Sequence, residues 1–362
     1  MRIVISGYYG SKNAGDEAML AAMIEVFLSI DKKVHITVVS ANPDDTKKRH
    51  GVAAVGLTDI FAIVGAIRKA DILISGGGSL LQNVTSGRSL YYYLGIIFLA
   101  HLFNKPVMLY AQGIGPIYGQ TARYLMKVLG NKTECITVRD KGSLVELATL
   151  GITRPPIKAT ADPVLAINPV SKEKGKEILT RCGVPANCPL VGLSVREWRG
   201  WQHYKDVLRQ TSHEIAEKYS AHIVFLPMQF PEDAQTAELI ADDSKNCTVL
   251  KEEYTTTELL SLVGNMDLII SIRLHALIFA GVMGVPMIGI SYDPKIDRFL
   301  DSIGERPVGN LQSITKGELA DEFERKWTLR DEYRGNNAAM MKKLRELAIE
   351  NARIAFETAK KP

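Results

Sequence analysis

Short apolar runs alternate with stretches of helical apolar spacing along most of this chain, and the alternation pauses once and restarts. Residues 3–6, 34–40, 53–57, 72–75, 107–112 and 135–138 read as strands, with helices expected over 15–30, 59–69, 89–103, 122–129 and 142–150. Strands alternating with helices of this size imply parallel βαβ units. The pattern pauses at residues 162–172, where Pro163, Asn168, Pro169 and Ser171 mark a linker. It restarts with strands expected at 190–195, 222–226, 248–250, 268–271 and 287–290. Residues 340–360 form a long polar-apolar helix pattern that could cross back onto the first domain. A chain of 362 residues is also too long for one ordinary core. The expected fold is therefore α/β: two Rossmann-like doubly wound domains facing across a cleft, at 1–166 and 167–335, followed by a terminal helix at 336–362.

Composition removes several classes. The 46% hydrophobic and 23% charged content is that of a soluble globular protein. A net charge of +4, with lysines and arginines dispersed, favours an anionic substrate and gives no support for nucleic acid. Cys135, Cys182, Cys188 and Cys247 lack the paired spacing of a zinc site, so no metal and no cofactor is expected. The apolar run at 3–5 is far short of an export signal. The run at 90–100 is too short to span a bilayer and reads as a buried helix. A cytoplasmic protein is expected.

Chemistry concentrates in the turns that follow strands. After the run at 268–270 comes Ser271-Ile-Arg-Leu-His275 and a short apolar helix pattern ending at Gly284. A strand-to-helix turn leaves backbone N–H groups free at the helix start, where an anion can settle. Arg273 adds a permanent cation with a planar fork suited to carboxylate or phosphate, and His275 adds a group that titrates near neutral pH. A structural carboxylate paired with Arg273, and a satisfied core histidine, are the alternatives. Ser194-Val-Arg-Glu-Trp198 places Arg196 at the same expected edge, and Ser291-Tyr-Asp-Pro-Lys295 adds Lys295. Three cations at separate strand ends make a pocket for a multiply charged anion.

The first half differs. Gly7-Tyr-Tyr-Gly-Ser-Lys-Asn-Ala-Gly-Asp-Glu17 is glycine-bearing but lacks the GxGxxG spacing that cradles a pyrophosphate. Asp16 and Glu17 in the first helical turn complement the helix dipole and would repel a phosphate. With Asn13 they suit sugar hydroxyls; helix capping by Asn13 and an acidic first turn are the structural alternative. Gly76-Gly-Gly-Ser79 and Gln112-Gly-Ile-Gly-Pro116 end two further strands, either as tight turns or as a ligand-facing rim.

These pieces in this order resemble the polysaccharide pyruvyl transferases, in particular the bacterial CsaB type. The resemblance rests on Gly7-Tyr-Tyr-Gly10, Asn13, Gly15-Asp-Glu17, Gly76-Gly-Gly-Ser79, Gln112-Gly-Ile-Gly115, Arg139-Asp140 and above all Arg273-Leu-His275, and it runs along nearly the whole chain. It implies a GT-B-like fold with phosphoenolpyruvate as co-substrate. It further implies a ketal-linked pyruvate on a cell-wall glycan sugar, N-acetylmannosamine, in polymers that anchor surface-layer proteins. A lipid-linked acceptor would fit an enzyme touching the cytoplasmic face of the membrane. On this resemblance Arg196, Arg273, Leu274 and Lys295 hold phosphoenolpyruvate in the second domain. His275 and Asp16 are catalytic. Asn13, Glu17, Gly76, Gly77, Gly78 and Gln112 bind the acceptor on the first. The rival expectations are a GT-B glycosyltransferase or related nucleotide-sugar enzyme, and a glycan-binding protein without catalysis.

Overall fold

A computed structural model describes residues 1–84 and 87–360, without the side chains of 334–336. Residues 361 and 362, the end of the expected terminal segment, lie outside the described residues. The chain forms two compact units: Met1–Ile167 together with Lys343–Pro362, and Asn168–Lys342.

The first unit alternates β1 (Arg2–Tyr9), α1 (Ala14–Ile30), β2 (His35–Ser40), α2 (Pro43–His50), β3 (Ala53–Gly56), α3 (Ile60–Lys69) and β4 (Ile72–Ser75). It continues with α4 (Gly87–Leu102), β5 (Val107–Gln112), α5 (Gln120–Gly130), β6 (Cys135–Val138), α6 (Lys141–Thr149) and β7 (Ile157–Ala159). All seven strands pair in parallel, in the order β3-β2-β1-β4-β5-β6-β7. The order reverses between β1 and β4, and ligands of such sheets bind beyond the carboxyl ends of the strands at that reversal. Val4, Leu73, Leu109 and Ile136 carry the sheet into one core with Ile63, Leu94 and Ile97 of the covering helices. Burying a side chain of this kind stabilises the fold by about 1.5–3 kcal/mol. Three helices start on the expected type of cap: Asn13, Asp59 and Asp140 each accept from backbone N–H groups of the first turn.

The second unit contains α7 (Glu173–Arg181), β8 (Leu190–Ser194), α8 (His203–Tyr219), β9 (His222–Phe225), α9 (Glu232–Ala241), β10 (Cys247–Val249) and α10 (Thr256–Gly264). Then follow β11 (Leu268–Ser271), α11 (Leu274–Met283), β12 (Met287–Gly289), α12 (Pro294–Ser302), α13 (Lys316–Thr328) and α14 (Arg330–Asn336). Its parallel sheet runs β10-β9-β8-β11-β12, so the reversal falls between β8 and β11. Val191, Leu193, Ile223, Phe225 and Ile270 form its core with Tyr204 and Phe323. α11 stops at Gly284, whose φ of 67° is the left-handed conformation that glycine adopts without steric cost.

The last helix, α15 (Ala338–Ala359), begins in the second unit and from Lys343 onward belongs to the first. There Asn351 is fully buried and joins Thr160 Oγ1 (2.7 Å) and the Ala161 carbonyl (3.1 Å), while Phe356 packs edge-on against Phe27. Both units are α/β and Rossmann-like, as the alternating pattern requires. All eleven expected strands are present. The additional one, β7, is three residues long. No helix among the described residues is long and apolar enough to cross a membrane; the run at 90–100 is part of α4, with Leu90, Tyr93, Leu94, Ile97 and Ala100 buried.

Candidate active site

The carboxyl edge of the second sheet collects positive charge. Ser271 fixes the turn after β11: its hydroxyl donates to the Arg273 carbonyl (2.9 Å) and accepts from the Arg273 N–H (2.8 Å). Arg273 is the N-cap of α11 and makes no side-chain cap, so the N–H groups of Leu274 and His275 open the helix without a capping side chain. The Arg273 guanidinium pairs with Asp233 on the first turn of α9. Asp233 also accepts from the Met228 N–H (3.0 Å) and the Gln229 N–H (2.9 Å). Burial pushes its carboxyl upward, against the pull of Arg273 and these two donors. The carboxylate partner that the sequence left open for Arg273 therefore exists. One guanidinium branch is committed to it, and the buried Arg273 Nε has no protein partner among the described residues. Leu274 is buried and His275 half-buried.

Arg196 follows β8 across the topological reversal. Its Nη1 donates to Tyr292 Oη at 2.8 Å, and its guanidinium carbon lies 5.2 Å from the ring centroids of both Trp198 and Tyr292. The two rings are themselves 4.6 Å apart. Such cation–ring contacts orient Arg196 and contribute about 0.5–2 kcal/mol each. The buried Arg196 Nε also lacks a protein partner among the described residues. Lys295, on the first turn of α12, holds its ammonium 5.2 Å from the Tyr292 centroid and 3.4 Å from Asp293. Burial raises the Tyr292 hydroxyl, but Lys295, Arg196 and Arg273 acting together draw it below the ordinary phenol value. The three cations singled out in the sequence are thus gathered around one tyrosine. Tyr292 and Asp233 were not: Tyr292 stood inside a quoted motif without a role, and Asp233 lies 40 residues from its partner with no local signal.

The carboxyl edge of the first sheet is tied up by its own chain. Tyr9, 1% exposed, lies across the ends of β1 and β4. A side chain at Gly7 or Gly76 would run into its ring. At Gly77 a Cβ would meet Met19 Sδ and Pro163 Cγ, each at 3.1 Å. Gly78 has φ +103°, and a Cβ there would lie 3.4 Å from Asp16 Oδ1. These glycines are required by packing of the protein on itself. Gln112 is fully buried and donates to the carbonyls of Ser75 (3.1 Å) and Gly76, which ties β5 to β4. Asn13 Oδ1 accepts from the Gly15 N–H (3.0 Å) and the Asp16 N–H (3.3 Å) and so caps α1. Glu17 is 3% exposed, with one oxygen on the Gly10 N–H (2.7 Å) and the other on His50 Nε2 (2.8 Å). Both oxygens being engaged, Glu17 shapes the loop, and the structural alternative describes it. Asp16 stays partly exposed beside Gly78 and helps burial raise the Tyr9 hydroxyl. Arg139 bridges Asp162 (2.8 Å) and Ser79 (3.1 Å) behind this edge.

The family model described as polysaccharide pyruvyl transferase matches residues 13–294, well over half of the chain. The chain belongs to the polysaccharide pyruvyl transferase family. The match includes Asp16, Arg196, Arg273 and His275, and it ends one residue before Lys295. A comparison with curated proteins gives no match. Among solved structures, this transferase is similar to a UDP-GlcNAc 2-epimerase from Neisseria meningitidis bound to UDP-GlcNAc, at 13% identity over 99% of each chain and a TM-score of 0.65. It is similar to a glycosyltransferase from Rickettsia africae, at 13% identity over 100% of this chain and 99% of that one, with a TM-score of 0.66. HepE from Anabaena in complex with UDP-glucose shows the same likeness: 13% identity, 99% and 98% coverage, TM-score 0.65. Identities this low establish the fold, of the GT-B type, and leave the chemistry of this transferase to its own residues.

Proposed function

We propose that this enzyme moves pyruvate from phosphoenolpyruvate onto a cell-wall glycan sugar as a ketal and releases phosphate. The observation that carries the proposal is the gathering of Arg196, Arg273 and Lys295 around Tyr292, beside the uncapped start of α11. Two buried guanidinium nitrogens there have no protein partner among the described residues, and a carboxylate and a phosphate on one small donor would use them. Leu274 contributes its backbone N–H at the helix start. His275 acts as the acid that protonates the methylene carbon of the donor, leaving an oxocarbenium-like C2. One sugar hydroxyl adds to C2, phosphate departs, and a second hydroxyl closes the ketal.

In this scheme the first unit binds the acceptor. Asp16 positions or deprotonates a hydroxyl, while Asn13, Gly78 and Gln112 hold the edge on which it sits. Asp16 makes that helix start a poor phosphate site, which supports the assignment. N-acetylmannosamine on a lipid-linked precursor, met at the cytoplasmic face of the membrane, is the acceptor proposed, in polymers that anchor a surface layer.

The test is phosphate release from phosphoenolpyruvate across a panel of acceptor sugars, with mass detection of the pyruvylated product. Release that depends on an acceptor, with a product heavier by one ketal-linked pyruvate, is expected. Calorimetry that shows tight binding of UDP-GlcNAc and none of phosphoenolpyruvate would replace this proposal with a nucleotide-sugar enzyme.

A further inference from the structure

Tyr292 is the one group of the cationic cluster that carries a transferable proton on an uncharged oxygen. Its oxygen accepts from Arg196 Nη1 at 2.8 Å and has a second hydrogen-bond partner in the Lys295 ammonium. Neither cation can accept a proton, so the phenolic proton must point away from both. Its ring is clamped against Trp198 at 4.6 Å, with the Lys295 ammonium at 5.2 Å, so the hydroxyl has a set direction. The cations that act on it come from three elements. Arg196 follows β8, Arg273 opens α11 and Lys295 lies on α12, while Asp233 on α9 neutralises part of Arg273. Of the acids nearby, Asp293 caps α12 and meets Lys295 of the cluster itself, Asp297 accepts from Ser291 Oγ at 2.5 Å, and Glu197 pairs with Lys205.

We infer that Tyr292 is a proton-donating ligand of the anion bound at this edge, so that binding the anion and ionising Tyr292 exclude one another. The inference rests on the donor site proposed above and adds a residue and a proton to it. Its physics is a competition for the same positive field. In the empty site Arg196, Arg273 and Lys295 favour the phenolate. A bound phosphate or carboxylate takes up that field and offers an acceptor for the phenolic proton, so the neutral phenol is favoured instead. By linkage, whatever the anion does to the proton affinity of Tyr292, the proton does to anion affinity. Ionised Tyr292 repels the ligand and can no longer donate to it. Anion affinity then falls as pH rises through the lowered Tyr292 midpoint of the empty protein, by up to about tenfold per pH unit, until the midpoint of the complex is reached. Such a site selects ligands with an acceptor oxygen at the right place over simple halide-like anions.

The experiment is an ultraviolet titration of phenolate absorbance, wild type minus Tyr292→Phe, repeated with saturating inorganic phosphate and with phosphoenolpyruvate. Calorimetry of both anions over the same pH range accompanies it. One phenolate, missing in Tyr292→Phe, should titrate below the ordinary tyrosine value of about 10 in the empty protein. It should move upward when either anion is present. The loss of anion affinity at high pH should be present in wild type and absent in Tyr292→Phe. Arg196→Gln provides a second variant that keeps the phenol: its Tyr292 midpoint should lie above that of wild type. Phosphoenolpyruvate that binds with no movement of the Tyr292 midpoint would overturn this inference and leave the proposed donor in place. A midpoint moved by inorganic phosphate, with no binding of phosphoenolpyruvate, would support Tyr292 as an anion ligand and remove the proposed donor. Binding of neither anion would overturn both.

Discussion

The two sheets reverse their strand order in the same way and end in edges of opposite character. In the first unit the edge at β1 and β4 is braced by its own chain: Tyr9 packs on Gly7 and Gly76, Glu17 is held by Gly10 and His50, and Gln112 bridges two strands. Asp16 there is acidic and partly exposed, and Lys12 of the same loop is exposed. In the second unit the edge at β8 and β11 holds three cations around one phenol, and two buried guanidinium nitrogens have no protein partner among the described residues. Topology marks where a ligand can bind in both units. Which ligand it is depends on a handful of side chains that the topology does not dictate.

Arg273 carries the largest expected difference between the two edges. Arg273→Ala removes the proposed donor contact and leaves Asp233 buried without its cation, and losing one partner of such a pair commonly costs about 2–5 kcal/mol. Calorimetry should show phosphoenolpyruvate affinity falling by more than tenfold, with a lower melting temperature. Arg273→Lys should recover the fold better than the affinity, because the fork is lost while the charge remains. Unchanged donor affinity in Arg273→Ala would end the assignment of the second unit as the donor side.

At His275 the expected loss lies in turnover. His275→Gln keeps a polar side chain but cannot shuttle a proton near neutral pH, and kcat should drop by about 10²-fold with donor affinity within a few-fold of wild type. Single-turnover kinetics would separate the two quantities. A near-wild-type rate would make His275 a structural residue.

Asp16 tests the other edge. Asp16→Asn should leave phosphoenolpyruvate affinity intact and slow transfer to the sugar by about tenfold or more, read as acceptor-dependent phosphate release. A weakened donor with normal transfer would exchange the roles of the two units.

The smallest effect concerns pH and stability. Burial holds His222 in the second unit and His101 in the first below the ordinary imidazole value. The unfolded chain binds protons more readily than the fold at these sites. Their stabilisation is thus complete above the unfolded value of about 6.5 and is lost as pH falls through the lower folded value. His222 Nε2 meets Thr248 Oγ1 at 2.8 Å, and His222→Gln should flatten the fall in denaturant midpoint of the second unit between about pH 7 and 5.

Most of the fold was legible in the amino-acid order because strands of a parallel sheet are buried on both faces and read as unbroken apolar runs. β7 escaped notice: it is three residues long and carries Lys158. The cations were legible because strand ends mark the ligand edge and three of them converge on one. Their partners were not. Asp233 reaches Arg273, and His50 reaches Glu17, only through the tertiary structure. The glycines at 76–78 read as tight turns or a ligand-facing rim, and what packs on them, Tyr9 at Gly76, Met19 and Pro163 at Gly77, and Met19 and Asp16 at Gly78, had no local signal.

The terminal helix has a consequence for how the molecule is made. The first unit begins at the first residue, yet Asn351 and Phe356, which complete its interior at Thr160 and Phe27, come after every residue of the second. Chains emerge from the ribosome N-terminus first and fold by domains as they do so. The first sheet must therefore wait, with a strip of apolar surface uncovered, while the second unit is translated and folds. Chaperone demand during synthesis should track the sequence of residues 344–358 more closely than that of any strand. A nonsense mutation shortly before Leu344 would leave the second unit's site intact and the nascent protein prone to aggregate.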